Sequence, residues 1–378
     1  MKKIALIGST GSIGKQTLDV VKNHPDKFEI ISLAGGNNVG EFLSQVAYFK
    51  PKVATLATQI EKDKICQFNT DFFFGENAFT NAIVEEADIV VVALVGFKGI
   101  IAVLDAIEKG KNIALANKES LVVGGSLVMQ KAKEKGVKIA PIDSEHSAVW
   151  QALNFDFDAP FKKIILTASG GAFRDKTLEE MASLKAKDAL IHPNWQMGNK
   201  ITIDCTTLIN KAFEVVEAKW LYNTTFDKID VIIHRQSIIH SMVELNDNSV
   251  LAQMSYPDMR LAIQLALSYP ERLTPTVNSL DFASLGSLTF EKIDNKRFPC
   301  FDLILQSAKS GGLYPAVANG ANEQAVNLFL QDKIGYNDIY KGIYGALQAF
   351  DGSHHVHLED LQEADKFARN YVNFLFGV

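Results

Sequence analysis

Residues 3–14 read KIALIGSTGSIG, an apolar run followed by three glycines spaced three residues apart. The apolar run predicts a buried strand, and the glycines predict a tight turn into a helix. Such a turn lets a pyrophosphate approach the backbone amides at the helix N-terminus, as in dinucleotide-binding domains. The alternative is a strand–helix turn that holds no ligand. The pattern of the residues that follow favours the dinucleotide.

The same order of strand, break and helix repeats through the first 150 residues. Short apolar runs alternate with amphipathic segments, which predicts a parallel sheet covered by helices on both faces. The runs are 3–7, 28–33, 53–56, 89–94, 112–116 and 137–142. The carboxyl ends of parallel strands share one edge of a sheet, so the glycine, asparagine and charged residues after these runs predict a ligand site at that edge.

After about residue 150 the pattern changes. A strand is predicted at 164–167, and closely spaced runs at 227–234, 238–245 and 250–255 predict an antiparallel sheet. Only helical patterns follow residue 301. The predicted fold class is α/β, with an N-terminal Rossmann-like parallel sheet, a central α+β domain and a C-terminal helical bundle. The expected boundaries are 1–149, 150–270, a linker at 271–300, and 301–378.

Length and composition exclude several classes of protein. The chain has 378 residues, a net charge of −6 and a hydrophobic fraction of 47%, which is typical of a globular protein with two or three domains. The acidic balance argues against a nucleic-acid-binding protein, and no apolar run is long enough for a signal peptide or a membrane span. Three distant cysteines favour neither a disulfide framework nor a thiolate metal site. We expect a cytoplasmic protein.

In dinucleotide-binding domains, the residue at the end of the second strand normally indicates whether the domain prefers NAD or NADP. An acidic residue there favours NAD, and a basic residue favours the 2′-phosphate of NADP. This chain reads Gly35-Gly36-Asn37-Asn38, which offers neither. The residues themselves therefore leave the choice of nucleotide open.

Acidic residues that could hold a metal occur in two segments. Asp143 and Glu145 follow the sixth run, and two carboxylates two residues apart in an extended segment point the same way. Asn210 and Glu214 are four residues apart on a predicted helix and share a face, with Lys211 beside them. Three carboxylates without a cysteine suit Mg²⁺ or Mn²⁺. For each acid taken singly, the alternative is an ordinary solvated charge.

Two further segments are suited to a phosphate group. Ser169-Gly170-Gly171 can form a nest of backbone amides after its strand. His192 and Trp195 lie in a polar loop that could close over a ligand, although a surface histidine and a packing tryptophan are the ordinary alternatives. Lys118 lies next to the predicted nucleotide edge.

In combination these segments resemble the 1-deoxy-D-xylulose 5-phosphate reductoisomerase family. The matching segments, in order, are GSTGSIG at 8–14, ANKES at 116–120, PIDSEH at 141–146, SGG at 169–171, HPNW at 192–195, MG at 197–198, NK at 210–211 with Glu214, and HSM at 240–242. The resemblance implies an NADPH-binding domain, a central catalytic domain that also forms a homodimer, and a helical C-terminal domain. It also implies a reaction, in which a sugar phosphate is rearranged and then reduced by NADPH with the help of Mg²⁺ or Mn²⁺.

The resemblance further implies a role for each matching residue. The expected metal ligands are Asp143, Glu145 and Glu214, and the catalytic set adds Lys118. The expected substrate-binding residues are Lys118, Ser144, Glu145, Ser169, His192, Trp195, Cys205, Asn210, Lys211 and Glu214. The expected nucleotide-binding residues are Thr10, Gly11, Ser12, Ile13, Gly36, Asn37, Asn38, Asn117, Glu119 and Gly198.

Two positions depart from the family pattern. Asn37 replaces a residue that is basic in many relatives, which predicts a weaker preference for NADPH or a reliance on backbone amides. Cys205 replaces a phosphate-binding serine, and a thiol is a weaker hydrogen-bond donor. The alternatives that stay open at this point are another two-domain NAD(P)-dependent dehydrogenase, acting on a semialdehyde or a hydroxyacid, and a non-catalytic NADP-binding regulator.

Overall fold

The structure is a computed structural model that describes residues 1–191, 195, 197–274, 277–352 and 355–378. The chain divides into two compact units. The first unit comprises 1–117, 128–147 and 258–278, and the second comprises 118–127, 148–257 and 279–378. The domain boundaries expected from the sequence stay a prediction.

The first unit is built on a seven-stranded parallel sheet in the order β4-β3-β2-β1-β5-β6-β7. Its strands are β1 (Lys2–Ile7), β2 (Phe28–Gly35), β3 (Val53–Leu56), β4 (Asp71–Phe74), β5 (Ile89–Val92), β6 (Asn112–Leu115) and β7 (Ile139–Pro141). The sequence indicated all of them except β4, whose run Asp-Phe-Phe-Phe contains no β-branched residue. Because β1 pairs with β2 on one side and with β5 on the other, the strand order reverses at β1, where open sheets bind ligands.

Helices complete the first unit and close its core. They are α1 (Ser12–Asn23), α2 (Val39–Phe49), α3 (Lys98–Glu108), the later part of α4 (Glu119–Lys135) and α10 (Met259–Ser268). Helix α10 comes from a distant part of the chain, yet its Ile263 and Leu267 are buried in the same cluster as Ile4 and Phe42. The packing of α10 in the first unit could not be predicted from local periodicity, because the apolar pattern of a helix does not indicate which core the helix covers.

The second unit contains a five-stranded sheet in the order β11-β10-β8-β9-β12. Its strands are β8 (Lys163–Ala168), β9 (Ile229–Ile233), β10 (Ile239–Glu244), β11 (Val250–Met254) and β12 (Glu291–Lys292). The predicted antiparallel pairing is confirmed for β10 with β11, whereas β8 and β9 pair in parallel. Several helices lie between β8 and β9 in the chain, and a long crossover of this kind is what a parallel pair requires.

The remaining helices belong to the second unit, apart from the first turn of α5. They are α5 (Ser144–Ala152), α6 (Leu178–Ser183), α7 (Ala186–Ala189), α8 (Asn199–Thr206), α9 (Ile209–Leu221), α11 (Phe282–Leu285), α12 (Pro299–Ser310), α13 (Tyr314–Leu330), α14 (Tyr336–Ala349) and α15 (Leu358–Phe376). The predicted C-terminal helical region and the α/β fold class are confirmed. Among the described residues, no helix has the length and apolar character needed to cross a bilayer.

Candidate functional site

The loop after β1 makes the tight turn that its glycines predict. Gly8 has a φ of +98°, and a Cβ added to it would lie 2.5 Å from the carbonyl oxygen of Ala93. A Cβ added to Gly14 would lie 2.2 Å from the carbonyl oxygen of Gly8. Helix α1 begins at Ser12, and both Gly11 and Ser12 are exposed. The first amides of α1 therefore point to a surface that an anionic ligand can reach, which fits a dinucleotide pyrophosphate.

The residues after β2 lie at the same edge of the sheet. Gly36, Asn37 and Asn38 are exposed, and a Cβ added to Gly36 would meet no atom within 4 Å. Asn37 accepts a hydrogen bond from the Thr58 hydroxyl at 3.0 Å, and Asn38 caps α2 by accepting one from the Glu41 amide at 3.2 Å. Both asparagine side chains therefore have structural partners in addition to their expected role with the nucleotide.

Asn117 fixes the loop that follows β5. Its side-chain amide donates to the carbonyl oxygens of Leu94 and Gly96, both at 3.0 Å. Gly99 approaches so closely that a Cβ there would lie 1.9 Å from the Asn117 side chain. The expected nucleotide-binding asparagine is thus held rigidly beside the strand that neighbours β1.

Asp143 and Glu145 occupy the end of β7 and the start of α5. We expected an extended segment here, but that expectation is wrong, because α5 already begins at Ser144. Asp143 accepts a hydrogen bond from the Glu145 amide at 3.3 Å, and the Ser144 hydroxyl donates to the Glu145 carboxylate. The two carboxylates are therefore brought together by a helix start, in which Asp143 caps the first turn.

Glu214 is almost completely buried among polar partners in the second unit. Lys118 lies with its Nζ 2.9 Å from Oε1, Lys211 pairs with Oε2, and Asn210 donates to Oε1 at 2.5 Å. Helix α9 begins at Ile209, so the predicted spacing of Asn210 and Glu214 on one face is confirmed. Two ammonium groups around one carboxylate suit the binding of an anionic substrate next to a cation ligand.

Ser169-Gly170-Gly171 forms a turn with left-handed backbone at both glycines, with φ of +84° and +70°. The Gly171 amide donates to the Ser169 hydroxyl at 3.2 Å. A Cβ on Gly171 would lie 2.5 Å from the carbonyl oxygen of Cys205, so only glycine lets this loop pack against the end of α8. Exclusion of water raises the pKa of the Cys205 thiol, which keeps this group protonated. The cysteine is therefore available as a weak donor and not as a thiolate.

Trp195 is half-buried, and its ring lies 6.0 Å from the ring of His240 in an edge-on arrangement. His240 contacts the Ser255 hydroxyl through Nε2 at 2.9 Å. Gly198 caps α8 in extended backbone. The expected phosphate ligand His192 lies outside the described residues.

An ion-pair network that the sequence reading missed surrounds Lys200. Its Nζ lies 2.7 Å from Glu119 and 2.8 Å from Asp204, and Asp204 accepts a hydrogen bond from Asn322 at 3.0 Å. Burial lowers the pKa of Lys200, but the Asp204 and Glu119 carboxylates more than offset this and hold it above its usual value. The i, i+4 spacing of Lys200 and Asp204 was the only signal in the sequence. The expected nucleotide residue Glu119 is thus anchored to α8.

The donor atoms fit the cation that the resemblance implies. Asp143 and Glu145 of the first unit and Glu214 of the second all offer carboxylate oxygens, which are the ligands that Mg²⁺ and Mn²⁺ prefer. This chemistry favours a hard cation over zinc.

The free energy of unfolding is expected to fall at acidic pH because His240 resists protonation in the folded chain. Burial lowers the pKa of this histidine to about 4 from an ordinary value of 6.5. Between pH 6.5 and 4 the unfolded chain takes up a proton that the folded chain does not, which lowers the free energy of unfolding by about 3 kcal/mol. Urea unfolding across this range measures the decline, and His240→Gln should flatten it. His355→Gln, at an exposed position, should leave the decline in place; a decline unchanged in His240→Gln would contradict the assignment.

Three family models match successive parts of the chain, and all three describe the same enzyme. Residues 4–125 match the family model of 1-deoxy-D-xylulose 5-phosphate reductoisomerase, residues 139–222 match a C-terminal domain of the same enzyme, and residues 254–371 match the DXP reductoisomerase C-terminal domain. The 1-deoxy-D-xylulose 5-phosphate reductoisomerase of Bacillus subtilis is 47% identical over 379 residues, covering 99% of each chain.

Solved structures give the same result. The reductoisomerase from Zymomonas mobilis in complex with NADPH superimposes with a TM-score of 0.92 at 38% identity, covering 99% of each chain. A DOX-P reductoisomerase in complex with NADPH, fosmidomycin and magnesium has a TM-score of 0.92 at 37% identity, covering 100% of this chain and 98% of that one. The resemblance carried by the short motifs is confirmed. This chain belongs to the 1-deoxy-D-xylulose 5-phosphate reductoisomerase family.

Proposed function

We propose that this chain converts 1-deoxy-D-xylulose 5-phosphate to 2-C-methyl-D-erythritol 4-phosphate, using NADPH and a divalent metal, in the non-mevalonate route to isoprenoid precursors. The observation that carries the proposal is 47% identity to a named reductoisomerase over essentially the whole chain. Relatives of the same fold bind NADPH and magnesium. The chain is thus an NADP-dependent oxidoreductase.

We assign the metal to Asp143, Glu145 and Glu214. A divalent cation bound there polarises the substrate's oxygens and stabilises the negative charge that develops on them during the rearrangement. The first two carboxylates are already positioned by the start of α5. Lys118, within 2.9 Å of Glu214, can donate a hydrogen bond to a reacting hydroxyl group.

We assign the substrate phosphate to the second unit. The residues that can donate hydrogen bonds to the phosphate are Ser169, Cys205, Asn210 and Lys211. His192 keeps its expected role as a further phosphate ligand. Ser144 and Glu145 are proposed to contact the sugar. Trp195 would cover the substrate and exclude water. Charge-assisted hydrogen bonds from lysine to phosphate are about twice as strong as neutral ones, so Lys211 is expected to contribute most to the binding of this group.

We assign NADPH to the edge of the first sheet. The amides of residues 10–13 would hold the pyrophosphate, and residues 36–38 would contact the adenosine ribose. The remaining proposed contacts are Asn117, Glu119 and Gly198. When bound, the nucleotide supplies the hydride for the reduction.

An NADPH oxidation assay with 1-deoxy-D-xylulose 5-phosphate tests the function. We expect turnover that EDTA abolishes and that Mg²⁺ or Mn²⁺ restores. Turnover that persists in EDTA, with a semialdehyde or a hydroxyacid as the better substrate, would favour another dehydrogenase. Nucleotide binding without turnover of any of these substrates would favour a regulator.

Cys205→Ser is expected to keep kcat and to lower KM for the sugar phosphate. A hydroxyl donates a stronger hydrogen bond than the protonated thiol that Cys205 provides. Steady-state kinetics at saturating NADPH measure both constants, and Cys300→Ser, at a buried cysteine, is the control. An unchanged or higher KM in Cys205→Ser would contradict the assignment of this residue to the phosphate.

We also propose a homodimer and a cytoplasmic location, and retain the domain division at 149, 270 and 300. The dimer is supported by β11, an edge strand whose Val250 and Leu251 are exposed at 49% and 44%. Exposed apolar edge strands readily pair with another chain. Leu251→Lys is therefore expected to shift the mass measured by light scattering toward the monomer, whereas Tyr48→Lys, another exposed apolar position, should not. A dimer that survives Leu251→Lys unchanged would place the interface elsewhere.

A further inference from the structure

NADPH carries a 2′-phosphate that NADH lacks, and the residues that directly follow the first three strands include no cation to neutralise it. The segments after β1, β2 and β3 read GSTGSIG at 8–14, GNNVG at 36–40 and ATQI at 57–60. None of these segments includes lysine or arginine; farther along the connection from β3 to β4, Lys62 and Lys64 lie in a short 3-10 helix, where Lys64 pairs with Glu61 at 2.6 Å. Backbone amides can contact a phosphate at this edge, and a cation that adds to them would come from a neighbouring element.

We propose that Lys15 is the residue that selects NADPH through the 2′-phosphate; this inference rests on the proposed function. Lys15 follows the glycine loop directly, on the first turn of α1. Its Nζ lies 3.2 Å from Glu41 on the first turn of α2. The Glu41 amide in turn donates to the Asn38 side chain at 3.2 Å, which places the ammonium group next to the turn after β2. The Lys15 side chain is 48% exposed, so a phosphate can reach it.

Glu41 determines how strongly Lys15 favours NADPH over NADH. Its second carboxylate oxygen accepts a hydrogen bond from Gln45 at 3.3 Å, and Gln45 also donates to the carbonyl oxygen of Ser9 at 3.1 Å. This fixed carboxylate competes with a phosphate for the Lys15 ammonium and repels the phosphate directly. The pair therefore selects NADPH less strongly than an unopposed basic residue would. We expect a ratio of kcat/KM for NADPH over NADH of only one or two decades.

Direct nucleotide binding tests the proposal without turnover. Dissociation constants for NADPH and for NADH are measured by nucleotide fluorescence in Lys15→Gln, Glu41→Gln and the parent chain. Lys52→Gln is the matched control. Lys52 forms a similar exposed pair with Glu86 at 3.1 Å, but both residues precede their strands and lie at the opposite edge of the sheet.

Lys15→Gln is expected to weaken NADPH binding about tenfold at low salt and to change NADH binding less than about twofold. Glu41→Gln should tighten NADPH binding severalfold, and Lys52→Gln should change neither nucleotide. The effect of Lys15→Gln should shrink as salt is raised, since the contact is exposed. Equal changes for both nucleotides, or no change in Lys15→Gln, would overturn the inference while leaving the function intact. A parent chain that binds neither nucleotide would refute the proposed function itself.

Discussion

Glu214→Gln is expected to lower kcat/KM by about a thousandfold or more. Glutamine keeps the shape of the side chain and an oxygen that can accept hydrogen bonds, but it removes the negative charge that a hard cation needs. Losing one carboxylate from a set of three costs transition-state stabilisation of about 4 kcal/mol, which is about a factor of a thousand in rate. Steady-state kinetics over a titration of Mg²⁺ would show whether excess metal restores part of the rate.

A loss of rate could also come from instability, because the lysines around Glu214 would lose their charged partner. Two variants separate these causes. Glu214→Asp keeps the charge but shortens the side chain, so it should retain more activity than Glu214→Gln. Glu323→Gln changes a largely buried carboxylate on α13 that pairs with Arg369 and should keep kcat even where it lowers stability. NADPH binding that is preserved in Glu214→Gln would show that the nucleotide site is still folded. Full activity of Glu214→Gln would exclude Glu214 as a metal ligand.

The features of the site that could be predicted were those set by local spacing. Asn210 and Glu214 are one helical turn apart, so a helix in that region necessarily puts them on one face. The glycines at 8–14 leave few conformations other than a strand–helix turn. The parallel sheet followed from the repeat of buried strands and amphipathic helices, a pattern that depends only on the period of apolar residues.

The features that were missed depend on partners far away in the chain. A glutamate at position 119 could face a nucleotide or pair with Lys200, which lies 81 residues later in the chain. No local sequence pattern distinguishes these two environments. The parallel pairing of β8 with β9 depends on how a long crossover is routed, which strand composition does not encode. The expectation that Asp143 and Glu145 lie side by side rested on an extended segment, whereas the structure brings them together at a helix start.

Lys200→Met is expected to lower the free energy of unfolding by about 3–5 kcal/mol. Methionine has a similar length, so the main change is the loss of one ammonium group that faces two carboxylates. Removing one partner of a buried ion pair leaves the other charge uncompensated, and this costs more than the pair itself contributes. Asp204, with only 2% of its side chain exposed, would bear most of that cost. Urea unfolding at neutral pH measures the loss.

The pH dependence of the free energy of unfolding and a double variant test whether the loss of stability comes from the broken ion pairs. Because the folded pKa of Lys200 lies above its ordinary value of 10.5, its contribution is complete below that pH and declines as the pH rises further. Adding Asp204→Asn to Lys200→Met removes the stranded carboxylate, so the double variant should regain part of the stability. Lys341→Met, which breaks an exposed pair with Asp338, should cost less than about 1 kcal/mol. If Lys200→Met lowers the free energy of unfolding as little as Lys341→Met does, water already screens the ion pairs of Lys200. Glu119 would then not depend on these ion pairs for its position.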